Sequence, residues 1–285
     1  MSRLVFFEIP ASCVRIVLGT VLGLLSIQVG PALGQVAWES APRFVEADQA
    51  YMERADPARI AFANQRYEAL YRADPGDWEA AWRVAMTCYF LGDRVAEEKS
   101  EQEAFFARGR DVALEASKLN PDCAPCQLLV GINMALYGQS VGVVKMIFTL
   151  RSIRSHLRRS LELDPHFAEG TAARTLATID EVVPFLLGGS KKRARKYFEE
   201  ALAIDPTEPL NYAYFARFLQ KRGEFGAALE LTERGLENPR PSPERVESQA
   251  GWDRLERIRA QLKLEIKKIK PPPGRRKKPG QKKRR

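Results

Sequence analysis

The chain breaks an amphipathic helical pattern at a proline five times. The breaks read ALYRADPGD, ASKLNPDC, LELDPHF, LAIDPTE and GLENPRP, with prolines at positions 75, 121, 165, 206 and 239. Proline lacks the backbone N–H that a helix interior needs, and it disfavours helical geometry in the residue before it. Each break therefore ends one helix and lets another begin. The intervals of 46, 44, 41 and 33 residues are typical of stacked helical hairpins.

The last interval gives the clearest match to a known repeat. The first-helix spacing W-x2-L-G-x2-Y is occupied by Tyr212, Phe215, Ala216 and Leu219, and the second-helix spacing A-x3-F-x2-A by Ala228, Thr232 and Gly235. Parts of the same patterns recur at Ala194, Phe198 and Ala201, at Trp82, Ala85, Met86 and Tyr89, and at Val130, Gly131, Met134 and Gly138. These units resemble tetratricopeptide (TPR) hairpins. The resemblance implies an all-α fold: a right-handed α-solenoid of about four to five irregular hairpins with a C-terminal capping helix.

The hairpins are longer and less regular than a standard 34-residue repeat. The first helix near residues 166–187 is two turns too long and contains Pro184, and residues 93–104 are a polar insertion that we expect to extend a second helix. Long hairpins with a Gly-Gly turn, as in PFLLGGSKKRARKYFEEALAIDP, are similar to the exported T-component proteins of TRAP transporters. This looser resemblance covers residues 75–262.

The N-terminus has the pattern of a secretory signal. Arg3 and Arg15 precede an uncharged stretch over residues 16–38, and Pro31 is followed by the small-residue site Ala-Leu-Gly that ends at Gly34. We expect cleavage after Gly34, which makes residues 1–34 a signal peptide and places the protein in the periplasm. The alternative is an uncleaved membrane anchor, because 23 uncharged residues can span a bilayer. After cleavage, residues 35–268 would form the solenoid.

Three cysteines remain after such a cleavage. Cys123 and Cys126 lie three positions apart at a predicted helix start, and an exported protein meets an oxidising compartment. We expect either a local disulfide between these two residues or buried thiols. A redox pair is the alternative, but Cys-x-x-Cys redox motifs belong on a βαβ scaffold rather than on a helical hairpin. Cys88 is left over and is expected to be buried.

The sequence contains no catalytic constellation. His156 and His166 are the only histidines, and neither lies at a metal-ligand or triad spacing. The run from Gly188 to Lys192 lacks both the first glycine and the preceding strand of a phosphate-binding loop. We therefore expect no enzyme, no cofactor and no metal.

The predicted function is protein binding, with two candidate surfaces. In a standard repeat the first-helix positions outside the packing signature face a concave groove, and the central stretch over residues 128–150 is strongly apolar. The corresponding groove residues are Arg83, Thr87, Phe90, Leu128, Ile132, Leu136, Arg217, Gln220 and Lys221. A basic and aromatic groove suits an acidic or carboxylate-bearing peptide, and an apolar one suits a partner helix or a lipophilic ligand. A T-component-like accessory of a periplasmic solute-uptake system is the more specific alternative.

The last segments are a capping helix and a basic tail. Ser242, Pro243 and Glu244 are typical of a helix start, and apolar residues then recur on one face to about residue 268. Residues 267–285 hold 11 of the 45 Lys and Arg residues and no acid, so the net charge of +9 belongs to the tail. Residues 269–285 are predicted to be disordered, because three successive prolines forbid a helix and nothing apolar remains to pack. The positive charge of the tail favours binding to an anionic envelope surface, whereas nucleic acid is not an expected partner of an exported protein. A tail that only aids solubility is the simpler alternative.

Overall fold

A computed structural model describes residues 41–141 and 143–269. The predicted signal peptide and the basic tail from residue 270 onward lie outside these residues. The described part is all helical: α1 Val45–Met52, α2 Pro57–Ala73, α3 Trp78–Phe90, α4 Lys99–Leu119, α5 Ala124–Val141, α6 Val143–Leu163, α7 Thr171–Val182, α8 Lys191–Ile204, α9 Pro209–Lys221, α10 Phe225–Glu237 and α11 Val246–Ile269. Short 3-10 turns occupy Pro42–Phe44 and Phe185–Leu187, and a π turn spans Leu91–Val95.

The helices pair in chain order into five hairpins: α1 with α2, α3 with α4, α5 with α6, α7 with α8, and α9 with α10. Each second helix also packs against the first helix of the next hairpin, and the first helices touch directly in two pairs of neighbouring hairpins, α3 with α5 and α7 with α9. Helix α11 packs on both helices of the last hairpin. The prediction of an all-α solenoid with a C-terminal capping helix is confirmed.

Three of the Asx-Pro breaks, at Asp74, Asn120 and Asp205, end their helices through one local geometry, whereas Asn238 before Pro239 differs, with φ −64° and ψ 153°. The Asx residue before the proline is extended, with φ near −138° and ψ 94° at Asp74 and nearly the same values at Asn120 and Asp205. Its side-chain oxygen then accepts a hydrogen bond from the backbone N–H two residues on, as in Asp74 to Gly76 at 2.9 Å and Asp205 to Thr207 at 2.8 Å. The Asx-turn thus pairs a backbone N–H of the turn that follows the helix.

Close approach of helices explains the small residues in the repeat signature. A Cβ on Gly235 of α10 would lie 2.8 Å from the side chain of Tyr212 on α9, closer than real Cβ atoms come. The large signature residues fill the space between hairpins: the rings of Phe198 and Phe215 stack at 5.7 Å, and those of Phe198 and Phe218 are 5.3 Å apart. Small and large positions therefore interlock as the repeat requires.

Two predicted helix boundaries were wrong. The first helix of the fourth hairpin starts at Thr171 rather than near 166, because Ala168, Glu169 and Gly170 take successive positive φ values of 55°, 57° and 78°. Its end at Val182 agrees with the expectation that Pro184 should kink or end this helix, because Val183 is extended before the proline. The polar insertion extends α4 only from Lys99, after the π turn and three irregular residues. No helix within the described ranges is both long and apolar enough to cross a membrane.

Candidate binding surfaces

The predicted groove residues lie on three first helices and differ sharply in exposure. Six of them are buried, at 0–3% exposure: Arg83, Thr87 and Phe90 on α3, and Leu128, Ile132 and Leu136 on α5. On α9, Arg217 and Gln220 are half-buried and Lys221 is exposed. The structure thus aligns the first helices as expected. In contrast to the prediction, the six residues on α3 and α5 are closed to a partner in this conformation.

Arg83 is buried because the first hairpin packs around it. Its guanidinium lies over the ring of Phe44 at 3.9 Å and donates to the carboxylate of Asp48 on α1 at 3.4 Å. Asp48 also accepts a hydrogen bond from Tyr67 on α2 at 2.5 Å, and burial raises the pKa of Asp48. Thr87, one turn further along α3, donates to the carbonyl of Arg83. These polar residues join the first two hairpins rather than face a groove.

Phe90 lies at a contact between the two ends of the solenoid. The guanidinium of Arg54, in the turn between α1 and α2, lies 6.0 Å from the Phe90 ring centre and 4.8 Å from that of Tyr51. The same guanidinium donates two hydrogen bonds, at 2.6 and 3.2 Å, to Glu247 in the first turn of α11. Both charged side chains are 1% exposed and are separated by 193 positions in the sequence. We call the pair Arg54–Glu247 the closing contact.

A second polar cluster holds the start of α11 against two other hairpins. Arg245 donates to Glu169, before α7, at 2.5 Å and to Glu208, before α9, at 3.1 Å. Ser248 donates to Glu208 at 2.7 Å. Burial raises the pKa of Glu169 well above its usual value, and the neighbouring Glu208 carboxylate raises it further. Residues 245–248 therefore contact three separate turns, and they do more than cover the last hairpin.

The accessible part of the first-helix side lies at the C-terminal end of the array. Lys221 on α9 forms an ion pair with Glu181 on α7 at 2.5 Å, so the two neighbouring first helices present these side chains to the same side. Arg217 lies one turn before Lys221 and makes no ion pair with any residue that the structure describes. We call Glu181, Arg217, Gln220 and Lys221 the α7/α9 surface.

The structure brings Cys123 and Cys126 together as a disulfide at the start of α5, with their Cα atoms 5.3 Å apart. Cys88 on α3 is a buried free thiol, and burial raises its pKa to about 12. His156 contacts Gln127 at 2.6 Å, and its pKa is lowered by burial. In residues 41–141 and 143–269, no group of three His, Cys, Asp or Glu side chains is arranged to hold a metal ion.

Comparison with solved structures places this helical array in a known class. The crystal structure of TTC0263, a thermophilic TPR protein of Thermus thermophilus, superposes with a TM-score of 0.52 over 72% of this chain and 96% of its own, at 17% identity. The chain has the TPR fold. The type IV pilus biogenesis factor PilW is similar at a TM-score of 0.47, with 16% identity over 80% of this chain and 96% of its own. The structure of Pseudomonas aeruginosa pilF has a TM-score of 0.44, with 15% identity over 79% of this chain and 93% of its own.

Two family models match parts of the sequence. The TRAP transporter T-component matches residues 131–233, from α5 to α10, so the predicted resemblance to that family is confirmed there. The model for regulator of microtubule dynamics protein 1-3 matches residues 44–171, which span the first three hairpins. No curated protein sequence matches the chain.

Sequence reasoning missed the closing contact and the Arg245 cluster. The residues concerned lie in turns or at a helix start, where charged side chains are ordinary, and no repeat signature includes them. The only hint was the Ser242-Pro243-Glu244 segment, which leads directly into Arg245 and Glu247. It was predicted to begin the capping helix, but it forms a turn, and α11 starts at Val246.

Proposed function

We propose that the protein is an exported scaffold that binds a carboxylate-bearing segment of another protein at the α7/α9 surface. The observation that carries this proposal is the uneven exposure of the first helices: α3 and α5 are buried, whereas Arg217, Gln220 and Lys221 on α9 remain accessible. First helices are the usual binding side of such arrays, and extended peptides are a usual ligand of a groove between them.

The charges of this surface favour an acidic partner. Lys221 is paired internally with Glu181, whereas the half-buried Arg217 makes no ion pair with a described residue. A carboxylate that approaches Arg217 can form a charge-assisted hydrogen bond, and it can also compete with Glu181 for Lys221. The proposed partner is therefore a peptide with an acidic side chain or a C-terminal carboxylate.

The experiment is crosslinking and affinity purification of the mature protein from its native envelope. A photoreactive p-benzoylphenylalanine replaces Gln220, and a second protein carries it at Arg234, an exposed residue on the second helix α10. We expect a specific crosslinked protein only from position 220. We also expect that capture is lost in Arg217→Glu/Lys221→Gln and retained in Arg234→Glu. If the double variant captures the same proteins in the same amounts, the α7/α9 surface does not bind the partner.

A second candidate is a T-component-like accessory of a periplasmic solute-uptake system, favoured by the family match over residues 131–233. In this case the apolar middle around Leu128, Ile132 and Leu136 would hold a lipophilic ligand after a local opening, because these residues are now buried. Native mass spectrometry of protein purified from its own envelope tests it. A mass increment that disappears on denaturation supports this candidate, whereas a bare chain together with a crosslinked protein partner favours the scaffold.

Export itself is part of the proposal. Secretion with cleavage after Gly34 would leave the solenoid and the basic tail, residues 269–285, in the periplasm, where the tail would meet anionic envelope surfaces. N-terminal sequencing of the protein recovered from a periplasmic extract tests the cleavage. Deletion of residues 269–285 should abolish sedimentation with envelope membranes at low salt, and unchanged sedimentation would exclude binding through the tail.

A further inference from the structure

The turn between α7 and α8 exposes three consecutive large apolar side chains. Phe185 is 85% exposed, Leu186 93% and Leu187 41%. Other strongly exposed apolar residues within the described ranges are single positions on separate helices: Val45, Leu119, Phe148 and Leu264. Isolated exposed hydrophobic residues are ordinary, but adjacent ones at the tip of a turn are a feature of interaction sites.

The turn is held in a fixed shape rather than left loose. The backbone N–H groups of Leu187 and Gly189 donate to the carbonyl of Pro184 at 2.9 and 3.0 Å, and that of Gly188 donates to Phe185 at 2.9 Å. A Cβ on Gly189 would lie only 1.8 Å from the carbonyl oxygen of Val183, so the tight return of the chain requires glycine there. The N–H groups of Leu187, Gly188 and Gly189 are therefore satisfied within the turn, so the return of the chain behind Phe185 and Leu186 adds no free donor to be desolvated.

Two arginines fix the turn to the neighbouring hairpin. Arg154 on α6 and Arg193 on α8 both donate to the carbonyl of Gly188, at 3.2 and 2.7 Å, and both pair with the buried carboxylate of Asp180 on α7. Three helices thus support the base of the turn, while its tip projects into solvent.

The surroundings of the tip are cationic. Residues 182–198 contain Lys191, Lys192, Arg193, Arg195 and Lys196 and no acid. Arg193 and Arg195 are paired, with Asp180 and Glu224, whereas Lys192 and Lys196 are exposed and form no ion pair with a described residue. Cations in the first turns of a helix oppose the positive end of its dipole, so their accumulation at the start of α8 costs stability. An anionic surface that covers this region would offset that cost.

We propose that this turn is a membrane-docking site for an anionic lipid bilayer. Phe185 and Leu186 enter the interface between headgroups and acyl chains, and Lys192 and Lys196 contact the lipid phosphates. A projecting apolar tip with cations at its base combines the two terms of interfacial binding, apolar burial and attraction to anionic headgroups. The site uses other side chains than the α7/α9 surface, although Lys191 at its base donates to the carbonyl of Glu181, and it does not require the basic tail.

The experiment uses the full mature chain and vesicles of phosphatidylcholine with or without 30% phosphatidylglycerol, about 30% being a common anionic fraction for such assays. All variants keep the tail, so its contribution is constant. We expect Phe185→Ser/Leu186→Ser to lower the partition coefficient for the anionic vesicles about tenfold or more. Lys192→Glu/Lys196→Glu should lower it by about as much. The matched control is Leu264→Ser, an exposed apolar residue on α11, which should stay within about twofold because single surface leucines contribute little.

A second measurement reports insertion directly. Leu186→Cys and Leu264→Cys proteins carry an environment-sensitive dye, and dye fluorescence should shift to the blue with anionic vesicles only for position 186. The proposal is overturned if wild-type protein does not bind the anionic vesicles, if Phe185→Ser/Leu186→Ser binds them as wild type does, or if dye at 186 and at 264 responds alike. Loss of a crosslinked protein partner in the serine variant, with vesicle binding unchanged, would assign the turn to a protein interface instead.

Discussion

Removal of one partner of the closing contact should destabilise the protein strongly. In Glu247→Leu the guanidinium of Arg54 stays buried at 1% exposure and loses both of its hydrogen bonds to carboxylate oxygens, at 2.6 and 3.2 Å. Its remaining contacts are the carbonyl of Tyr51 at 3.4 Å and the nearby aromatic rings. Burial lowers the pKa of Arg54, but Glu247 more than reverses this effect, so the arginine stays charged.

The magnitude follows from the desolvation of an unpaired charge. A buried pair that loses one member typically costs about 3–5 kcal/mol in the free energy of unfolding, whereas replacement of both members by apolar residues of similar size is often nearly neutral. We therefore expect Glu247→Leu to lower the free energy of unfolding by about 3–5 kcal/mol, and Arg54→Met/Glu247→Leu to lower it by less than about 2 kcal/mol. The control is Asp253→Leu, a change on the same helix as Glu247. It removes the exposed ion pair of Asp253 with Arg240, which precedes the helix, and should cost less than about 1 kcal/mol.

Urea unfolding followed by circular dichroism measures these differences, and hydrogen exchange localises them. Because the closing contact joins α11 to the first hairpin, Glu247→Leu should raise the exchange of residues 45–73 as well as that of α11. Asp253→Leu should leave residues 45–73 unchanged. The reasoning is refuted if Glu247→Leu costs less than about 1 kcal/mol, or if the double variant loses as much as the two single changes together.

Three further predictions concern a buried carboxyl group, the disulfide and a buried thiol. The pKa of Glu169 is raised in the folded state, so its contribution to stability is present below about pH 4.5 and falls as the pH rises through the raised value. Glu169→Gln should therefore flatten the dependence of unfolding free energy on pH above 4.5, and an unchanged slope in urea titrations would contradict this. Cys123→Ser/Cys126→Ser should lower the free energy of unfolding by no more than about 2 kcal/mol, since the closed loop is very short. The mass of the oxidised wild type should be lower than that of the reduced form by two hydrogen atoms. Cys88, whose pKa is raised to about 12, should resist maleimide in the native protein and react only in urea.

The fold was largely predictable because its determinants are local. An Asx-Pro step ends a helix by the geometry of two or three residues, and signature positions such as Gly235 and Tyr212 record which helix faces must approach closely. The start of α7 was not predictable in the same way. Positive φ at Ala168 and Glu169 is unfavourable for residues with a side chain, and it persists only because tertiary contacts such as the Arg245–Glu169 ion pair hold this turn.

The candidate site was predictable only in part, for a physical reason. A repeat signature reports contacts between neighbouring hairpins, and it identified the first helices that can form a groove. It carries no information on contacts between the ends of the array. Arg54 and Glu247 are 193 positions apart, and charged residues in turns are ordinary on solvated surfaces. The burial of Phe90 beside Arg54 therefore required the three-dimensional arrangement.

The two roles of α11 connect stability to binding. Its buried Leu255 and Leu262 cover the last hairpin, as a capping helix does, while Glu247 at its start reaches the first hairpin. In an open solenoid the stability of each hairpin depends only on the hairpin itself and its contacts with its neighbours. Here a ligand that shifts α9 at Lys221 acts on the helix that α11 packs against, and α11 holds the closing contact. The helix that carries the α7/α9 surface is therefore joined to the closing contact through a single packed helix, α11.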